Sequence, residues 1–259
     1  MRLFFVIVFI AISTFAKGTE EVHFKYDVSF GIFGKIGSAD AVLKSENNSY
    51  EIALDAKSSG LAKTLSGNRR EYFYSKGEIK DGTLIPEVYI HNIERNSGKV
   101  VVEKYYTFDH KGKSVYMLRF ITKNGLRRKD IDKKIDYYAT NDLLTLFFNF
   151  PKLKQDGSSS FVLTAVGANK SDGRVDIIVP SKKESKKLKK ELKTHNQPYI
   201  VYINEKIFSS KRGKLFVGLD DQGYATKAVL KDVLFFGDIT GEVKEKIKNS
   251  YKFKPPLSN

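Results

Sequence analysis

Residues 139–151 read Ala139-Thr140-Asn141-Asp142-Leu143-Leu144-Thr145-Leu146-Phe147-Phe148-Asn149-Phe150-Pro151, the one solidly apolar run in a chain that past residue 16 otherwise alternates polar and apolar residues. Thr140, Asn141 and Asp142 can each offer an oxygen to the free N–H groups that open a helix, and Pro151, with no N–H to donate, is expected to end it. The spacing predicts about three turns over residues 141–150. Leu143, Leu144, Leu146, Phe147, Phe148 and Phe150 go nearly all the way round, which suits a helix packed on several sides. The expectation is a buried helix closing one face of a β-sheet, with a lipid-contacting plug as the alternative.

Upstream of this run the period is two. Val22, Phe24, Tyr26, Val28 and Phe30 alternate with His23, Lys25, Asp27 and Ser29, the pattern of a half-buried strand. Ala39, Ala41 and Leu43, then Ile52, Leu54 and Ala56, continue an antiparallel meander. The small residues of 58–67 read as a loop or one helical turn over the sheet. A strand over 69–75 brings Tyr72, Phe73 and Tyr74, and Lys76-Gly77 and Asp81-Gly82 read as turn dipeptides. Pro86 belongs at a strand start or edge, and two more strands follow over 100–108 and 114–122. Residues 127–136, Arg-Arg-Lys-Asp-Ile-Asp-Lys-Lys-Ile-Asp, mark the sharpest compositional shift and are expected to be an exposed connection within one domain.

Downstream, strands are expected over 161–166, 175–179, 199–208, 214–219 and 225–236, with turns at Ser171-Asp172-Gly173, Lys211-Arg212-Gly213 and Asp220-Asp221-Gln222-Gly223. Ser181 and Glu184 form a capping box. The helix after it, to about Lys193, is rich in lysine and has only Leu188 and Leu192 on its apolar side. It reads as a solvated surface helix, or, through Lys186, Lys187, Lys189 and Lys190, as a contact with an anionic surface. The fold class is therefore mainly β: an antiparallel, partly open β-barrel or curved sheet around a short apolar helix, plus one basic surface helix. Residues 17–250 make one domain, and 251–259, with Pro255-Pro256, a loose tail.

Residues 1–16 read as a cleaved export signal: Arg2, an apolar core from 3 to 12, then Thr14-Phe15-Ala16. The core falls well short of the roughly 20 residues that cross a bilayer, and no later segment is long enough to span. With no cysteine, disulfides, thiolate metal sites, a Cys nucleophile and a lipidated N-terminal Cys are excluded. The expected compartment is the periplasm, with the protein soluble or peripherally attached. The net charge of +15, one less once Arg2 is removed, keeps the protein soluble or favours anionic neighbours such as lipid head groups. Nucleic acid is not an expected partner of an exported protein.

No catalytic constellation stands out. His23, His91, His110 and His195 lie far apart and show no metal-ligand spacing; no metal or cofactor is expected. Ser38, Ser58, Ser59 and Ser66 lie in glycine-containing segments but none as Gly-x-Ser-x-Gly. Asp130 with Asp132, and Asp220 with Asp221, read as salt pairing and turn chemistry rather than acid–base pairs. What the sequence offers instead is 14 Tyr and 19 Phe with no Trp, rings that on alternating strand positions line an apolar site or fill an ordinary core. Tyr26, Phe30, Tyr72, Tyr74, Leu143, Phe147 and Phe150 are the candidate lining.

Tyr26-Asp27-Val28-Ser29-Phe30 with Gly37-Ser38-Ala39-Asp40-Ala41 is similar to the start of the bacterial exported family called domain of unknown function 3108. Asp55-Ala56-Lys57-Ser58-Ser59-Gly60-Leu61, Arg70-Glu71-Tyr72-Phe73-Tyr74-Ser75, Leu84-Ile85-Pro86-Glu87-Val88-Tyr89 and Asp142-Leu143-Leu144-Thr145-Leu146-Phe147 continue the likeness in order, as do the strands at 214–220 and 224–229. Members often carry Asp-Pro-Leu at the helix start, where this chain has Leu143 in place of the proline. The resemblance implies a periplasmic β-rich protein with no catalytic residues to carry over; in architecture it is also similar to the half-barrels of lipoprotein carriers. The expected function is a non-enzymatic binding module for a lipid or other amphiphile in the cell envelope. The alternatives are a structural protein docking an envelope partner and, last, a hydrolase of envelope polymers.

Overall fold

A computed structural model describes residues 19–153, 158–169, 171–203, 213–233 and 237–248. The expected export signal, the tail, the Lys211-Arg212 turn and the far ends of the strands expected over 199–208 and 225–236 lie outside the described residues. Eight strands run first as a meander, each paired antiparallel with the next: β1 (Thr19–Phe30), β2 (Lys35–Glu46), β3 (Ser49–Ser58), β4 (Arg70–Lys80), β5 (Thr83–Arg95), β6 (Val100–Asp109), β7 (Ser114–Lys123) and β8 (Leu126–Lys134). One helical turn, α1 (Gly60–Leu65), follows β3. The chain then passes to β9 (Asn141–Asp142), the apolar helix α2 (Leu143–Leu153), β10 (Ser160–Val166), β11 (Arg174–Ile178), the basic helix α3 (Lys182–Leu192), β12 (Tyr199–Tyr202), β13 (Lys214–Leu219), β14 (Ala225–Val233) and β15 (Gly237–Lys248). β15 closes back on β1, so the described strands form one 15-stranded sheet with β8 and β9 at its two edges.

The chain itself dictates curvature. Laid flat, 15 strands would span roughly 65 Å, yet only residues 135–140 separate the two edge strands, a reach of about 25 Å. The sheet must curl, and α2 lies inside the curl. It supplies Leu144 to a core cluster with Tyr50, Ile52, Leu84, Tyr89 and Tyr106 of the first meander, and Leu146 and Phe150 to a second cluster with Val175, Ile177, Val201, Leu215 and Val217. The helix is a wedge between two half-sheets.

The fold is the curved sheet around a short apolar helix expected from the sequence, and it is not a barrel, because its edges do not meet. β8 is paired with β7 alone and β9 with β10 alone. β9 is two residues long, too short for a ladder, and β8 is nearly all charge and exposed, the pattern that keeps an edge from pairing. Residues 127–136 are thus mostly an edge strand, not the connection expected. Two other expectations shift. Lys76-Gly77 lies inside β4 rather than in a turn, opposite a bulge of β5 whose extra residue is Glu87, and a Cβ on Gly77 would collide with the Ile85 carbonyl oxygen. The helix also runs past Pro151 to Leu153; the proline removes only the donor to the Phe147 carbonyl, and Phe147 lies on the solvent side. Pro86 behaves as expected, lying beyond the end of the β5–β6 ladder, which begins at Val88. No helix among the described residues is long and apolar enough to cross a membrane.

Candidate binding site

Asp142 opens α2. Its Oδ1 accepts the Leu144 and Thr145 N–H groups at 2.8 and 2.9 Å, and Thr145 Oγ1 accepts the Asp142 N–H in return at 2.9 Å, a reciprocal cap with threonine in the usual glutamate place. The other carboxylate oxygen takes a 2.6 Å bond from Ser75 Oγ on β4, which is in turn 3.0 Å from the Tyr50 hydroxyl on β3. All of this is buried. Loss of solvation pushes the Asp142 carboxyl up to about 6, the hydrogen bonds from Ser75, Thr145 and Leu144 offsetting only part of the rise. Two turns on, the Asn149 carboxamide accepts from Leu84 N–H and donates to Leu84 C=O, both at 2.8 Å, standing in for a strand where β6 has ended. The side-chain hydrogen bonds around α2 therefore run to β4 and β5, while the backbone just before it, Asn141-Asp142, pairs with β10.

The opposite side of α2 is different in kind. Leu143, Leu146, Phe147 and Phe150 face Val175, Ile177, Val201 and Val217 across a seam lined only by apolar side chains, with a cavity of about 30 Å³, the share of roughly one water molecule. Phe147 is 41 % exposed, at the mouth. The helix is not enclosed all round; its side chains hydrogen-bond to one half-sheet, its start is held to β10, and its face toward β11–β13 is apolar.

Three of the seven expected lining residues, Leu143, Phe147 and Phe150, meet here. Phe30 packs against the same core and stacks on Phe33, and Tyr26 lies beside Phe24 and Phe148, its hydroxyl donating to Ala225 C=O at 3.0 Å. Tyr72 and Tyr74 do not join them. The register sets Phe73 and Ser75 on the inner face with Leu54 and Ile52, so Tyr72 and Tyr74 point to the outer one, paired with Asp55 and Ala53. A more deeply placed ring is Tyr89, fully buried, whose hydroxyl has no hydrogen-bond partner among the described residues. Tyr89→Phe is therefore expected to leave stability unchanged or raise it by up to about 1 kcal/mol, measurable by urea denaturation.

α3 lies on the outer face, where Leu188 and Leu192 pack firmly on Ile200, Phe216 and Val229. Ser181 caps it as expected, accepting from Glu184 N–H at 3.4 Å. Lys186, Lys187 and Lys190 are exposed, whereas Lys189 Nζ turns back to donate to His195 C=O at 2.8 Å. The acidic pairs are spoken for: Asp130 by Arg119, Asp132 by Lys129, Asp220 by its own turn and Lys246, Asp221 by Asn196.

One titratable pair was invisible in the sequence. His91 Nε2 donates to Glu71 Oε2 at 2.7 Å while Arg69 Nε holds the other oxygen at 2.6 Å; Lys104 Nζ stands 3.5 Å from His91 Nδ1, and the Phe73 ring stacks on the imidazole at 4.2 Å. Burial lowers the His91 pKa and the Lys104 charge adds to the effect, against the opposing bond to Glu71. Burial would raise Glu71, but the His91 bond and the Arg69 charge hold it at about 2. With both ring nitrogens engaged and an aromatic ring on its face, His91 has the environment of a structural histidine. His110 is similar: Nε2 donates to Pro86 C=O at 2.6 Å and Nδ1 accepts from the Tyr138 hydroxyl at 2.7 Å. Among the described residues no group of three or more His, Cys, Asp or Glu side chains is placed to hold a metal.

No family model matches the chain, and no curated protein is significantly similar to it.

Proposed function

We propose that this protein is an exported, periplasmic binding protein rather than an enzyme, and that it takes the apolar chain of a lipid or other amphiphile into the seam between α2 and β11–β13. The supporting observation is the division of labour around α2: its side-chain hydrogen bonds go to β4 and β5, its start is held by the β9–β10 pairing, and the seam toward β11–β13 is apolar throughout. That seam can widen without stranding a buried donor or acceptor, so opening it exposes apolar surface but breaks none of those hydrogen bonds. Phe147 at the mouth is the first surface a chain would meet. The test is titration with a fluorescent fatty acid, alongside native mass spectrometry after mild extraction. Saturable uptake is expected, and Phe147→Asp, at a half-open position that folding tolerates, should weaken it by about tenfold or more, since it sets a charge in the path of an apolar chain. Uptake equal in both proteins would sink the seam as the site.

A second reading, a filled scaffold whose surface docks an envelope partner, is favoured by the small volume now in the seam. Protein that is always recovered ligand-free and takes up no probe would establish it over the first.

A further inference from the structure

The inner face of the first meander extends beyond the part that α2 covers. Register places Arg95 opposite Val100, Val100 opposite Lys123, Lys123 opposite Leu126 and Ile121 opposite Arg128, so all six share that face at the free ends of β5–β8. Asn124 and Gly125 close the β7–β8 hairpin with positive φ at both positions, the geometry of a tight two-residue turn. Just inside this tip is a cavity of about 340 Å³, lined by Ile121, Lys123, Leu126 and Arg128 with Lys129 and Asp130.

Three cations around it are uncompensated. Arg69, Arg70, Arg119, Arg127 and Arg174 each hold a carboxylate, while among the described residues Arg95, Lys123 and Arg128 have none. The cavity's own carboxylate, Asp130, is taken by Arg119. Lys129 is committed to Asp132 at 2.9 Å. Leu126 is 61 % exposed between these cations, in the first pair of the ladder behind the hairpin turn. An exposed leucine ringed by free cations suits the boundary between head groups and acyl chains, where the apolar side chain enters and each cation meets a phosphate. A nucleic acid backbone would use the cations and leave the leucine in water.

We propose that the tip of the β7–β8 hairpin docks the protein on an anionic lipid bilayer, with lipid phosphates at Lys123 and Arg128 and Leu126 in the interface. This surface is distinct from the α2 seam and does not depend on what the seam binds. It also relocates membrane contact away from α3, where the lysine-rich run drew attention in the sequence.

The experiment is co-sedimentation with vesicles of phosphatidylcholine alone and of phosphatidylcholine mixed with phosphatidylglycerol. Four proteins are compared: the parent, Lys123→Gln with Arg128→Gln, Leu126→Ser, and Lys186→Gln with Lys187→Gln and Lys190→Gln. The changed side chains are solvent-facing, and matching circular dichroism spectra check the fold. The parent is expected to bind only the anionic vesicles, less at high salt. Loss of the two hairpin cations should weaken binding by about tenfold or more, Leu126→Ser by about fivefold, and the α3 variant by less than about twofold. Equal binding by the parent and the hairpin variants, or a loss confined to the α3 variant, overturns the proposal. A parent that binds neither vesicle also overturns it and leaves the groove to an acidic protein partner.

Discussion

Asp142→Ala is expected to lower stability by about 2–4 kcal/mol, the sum of a lost helix cap and the stranded hydroxyls behind it. The alanine leaves the Leu144 and Thr145 N–H groups without their acceptor and Ser75 and Tyr50 facing a gap in a dry interior. Asp142→Asn should behave differently. Its carbonyl oxygen can keep both cap bonds, and its NH₂ can donate to Ser75 Oγ, which then turns its own hydrogen to Tyr50. The pH dependence separates the two forms. The folded carboxyl sits at about 6 against an ordinary value of 3.8, so the folded state holds the proton more tightly than the unfolded chain. That stabilisation is complete below about pH 4 and is lost as pH rises through about 6, a loss on the order of 3 kcal/mol. The asparagine does not titrate. Urea unfolding of both proteins from pH 4 to 8 should show the parent falling relative to Asp142→Asn across this window, and parallel curves would remove the buried carboxylate from the account.

The same residues show what could be read in the chain and what could not. α2 was legible because its signal is local: an oxygen-bearing cap directly before an apolar run. The early strands were legible because their alternation survives a curled sheet with one face packed. β8 was not, because an edge strand that must avoid pairing carries charge on both faces and loses its alternation. β15 escaped for another reason. A bulge opposite Lys25 and Tyr26 shifts its phase, so that Val243 pairs with Tyr26 while Lys246 takes the inner position opposite Phe24, its ammonium over the Tyr224 ring at 4.7 Å. Its apolar residues therefore do not mark one face. Tyr72 and Tyr74 read as lining because aromatic supply was visible and facing was not: in Tyr72-Phe73-Tyr74 only the middle ring points inward. The Glu71–His91 pair depends on register across two strands, for which nothing in the local sequence speaks.

Curvature was implicit in the order of elements yet needed the pairing to be seen. A short connection between the two outermost strands forces the sheet round, and the apolar helix that follows β9 falls inside it. Closure would need matching edges. A two-residue strand and a strand of alternating ions do not match, so the sheet curls about α2 and stops short of a barrel. The filler is held by side-chain hydrogen bonds to β4 and β5 and by the β9–β10 pairing at its start, and its face toward β11–β13 is held by apolar packing.

Phe150→Ala tests that seam most severely. The ring is 6 % exposed, meets Tyr199 edge-on at 4.5 Å and lies 6.2 Å from Phe161, between α2 and β10–β12. Truncation removes its transfer free energy and leaves a void that a helix tied to β4 and β5 cannot fully collapse, so a loss of about 3–5 kcal/mol is expected. Phe147→Ala, at the mouth, should lower stability by less than about 1 kcal/mol, because much of that ring is already in water. The void would adjoin the existing cavity and be apolar on all sides, hence dry and receptive to hydrocarbon. Stability of Phe150→Ala should therefore recover in part with a saturating short-chain fatty acid, by the mass-action gain of any ligand that binds only the folded state. Denaturation midpoints with and without the fatty acid read both effects. Recovery in Phe150→Ala and not in Phe150→Leu would mark the seam as the place where hydrocarbon enters, whereas a void that stays unresponsive would mean α2 packs there as fixed core and the binding surface lies elsewhere.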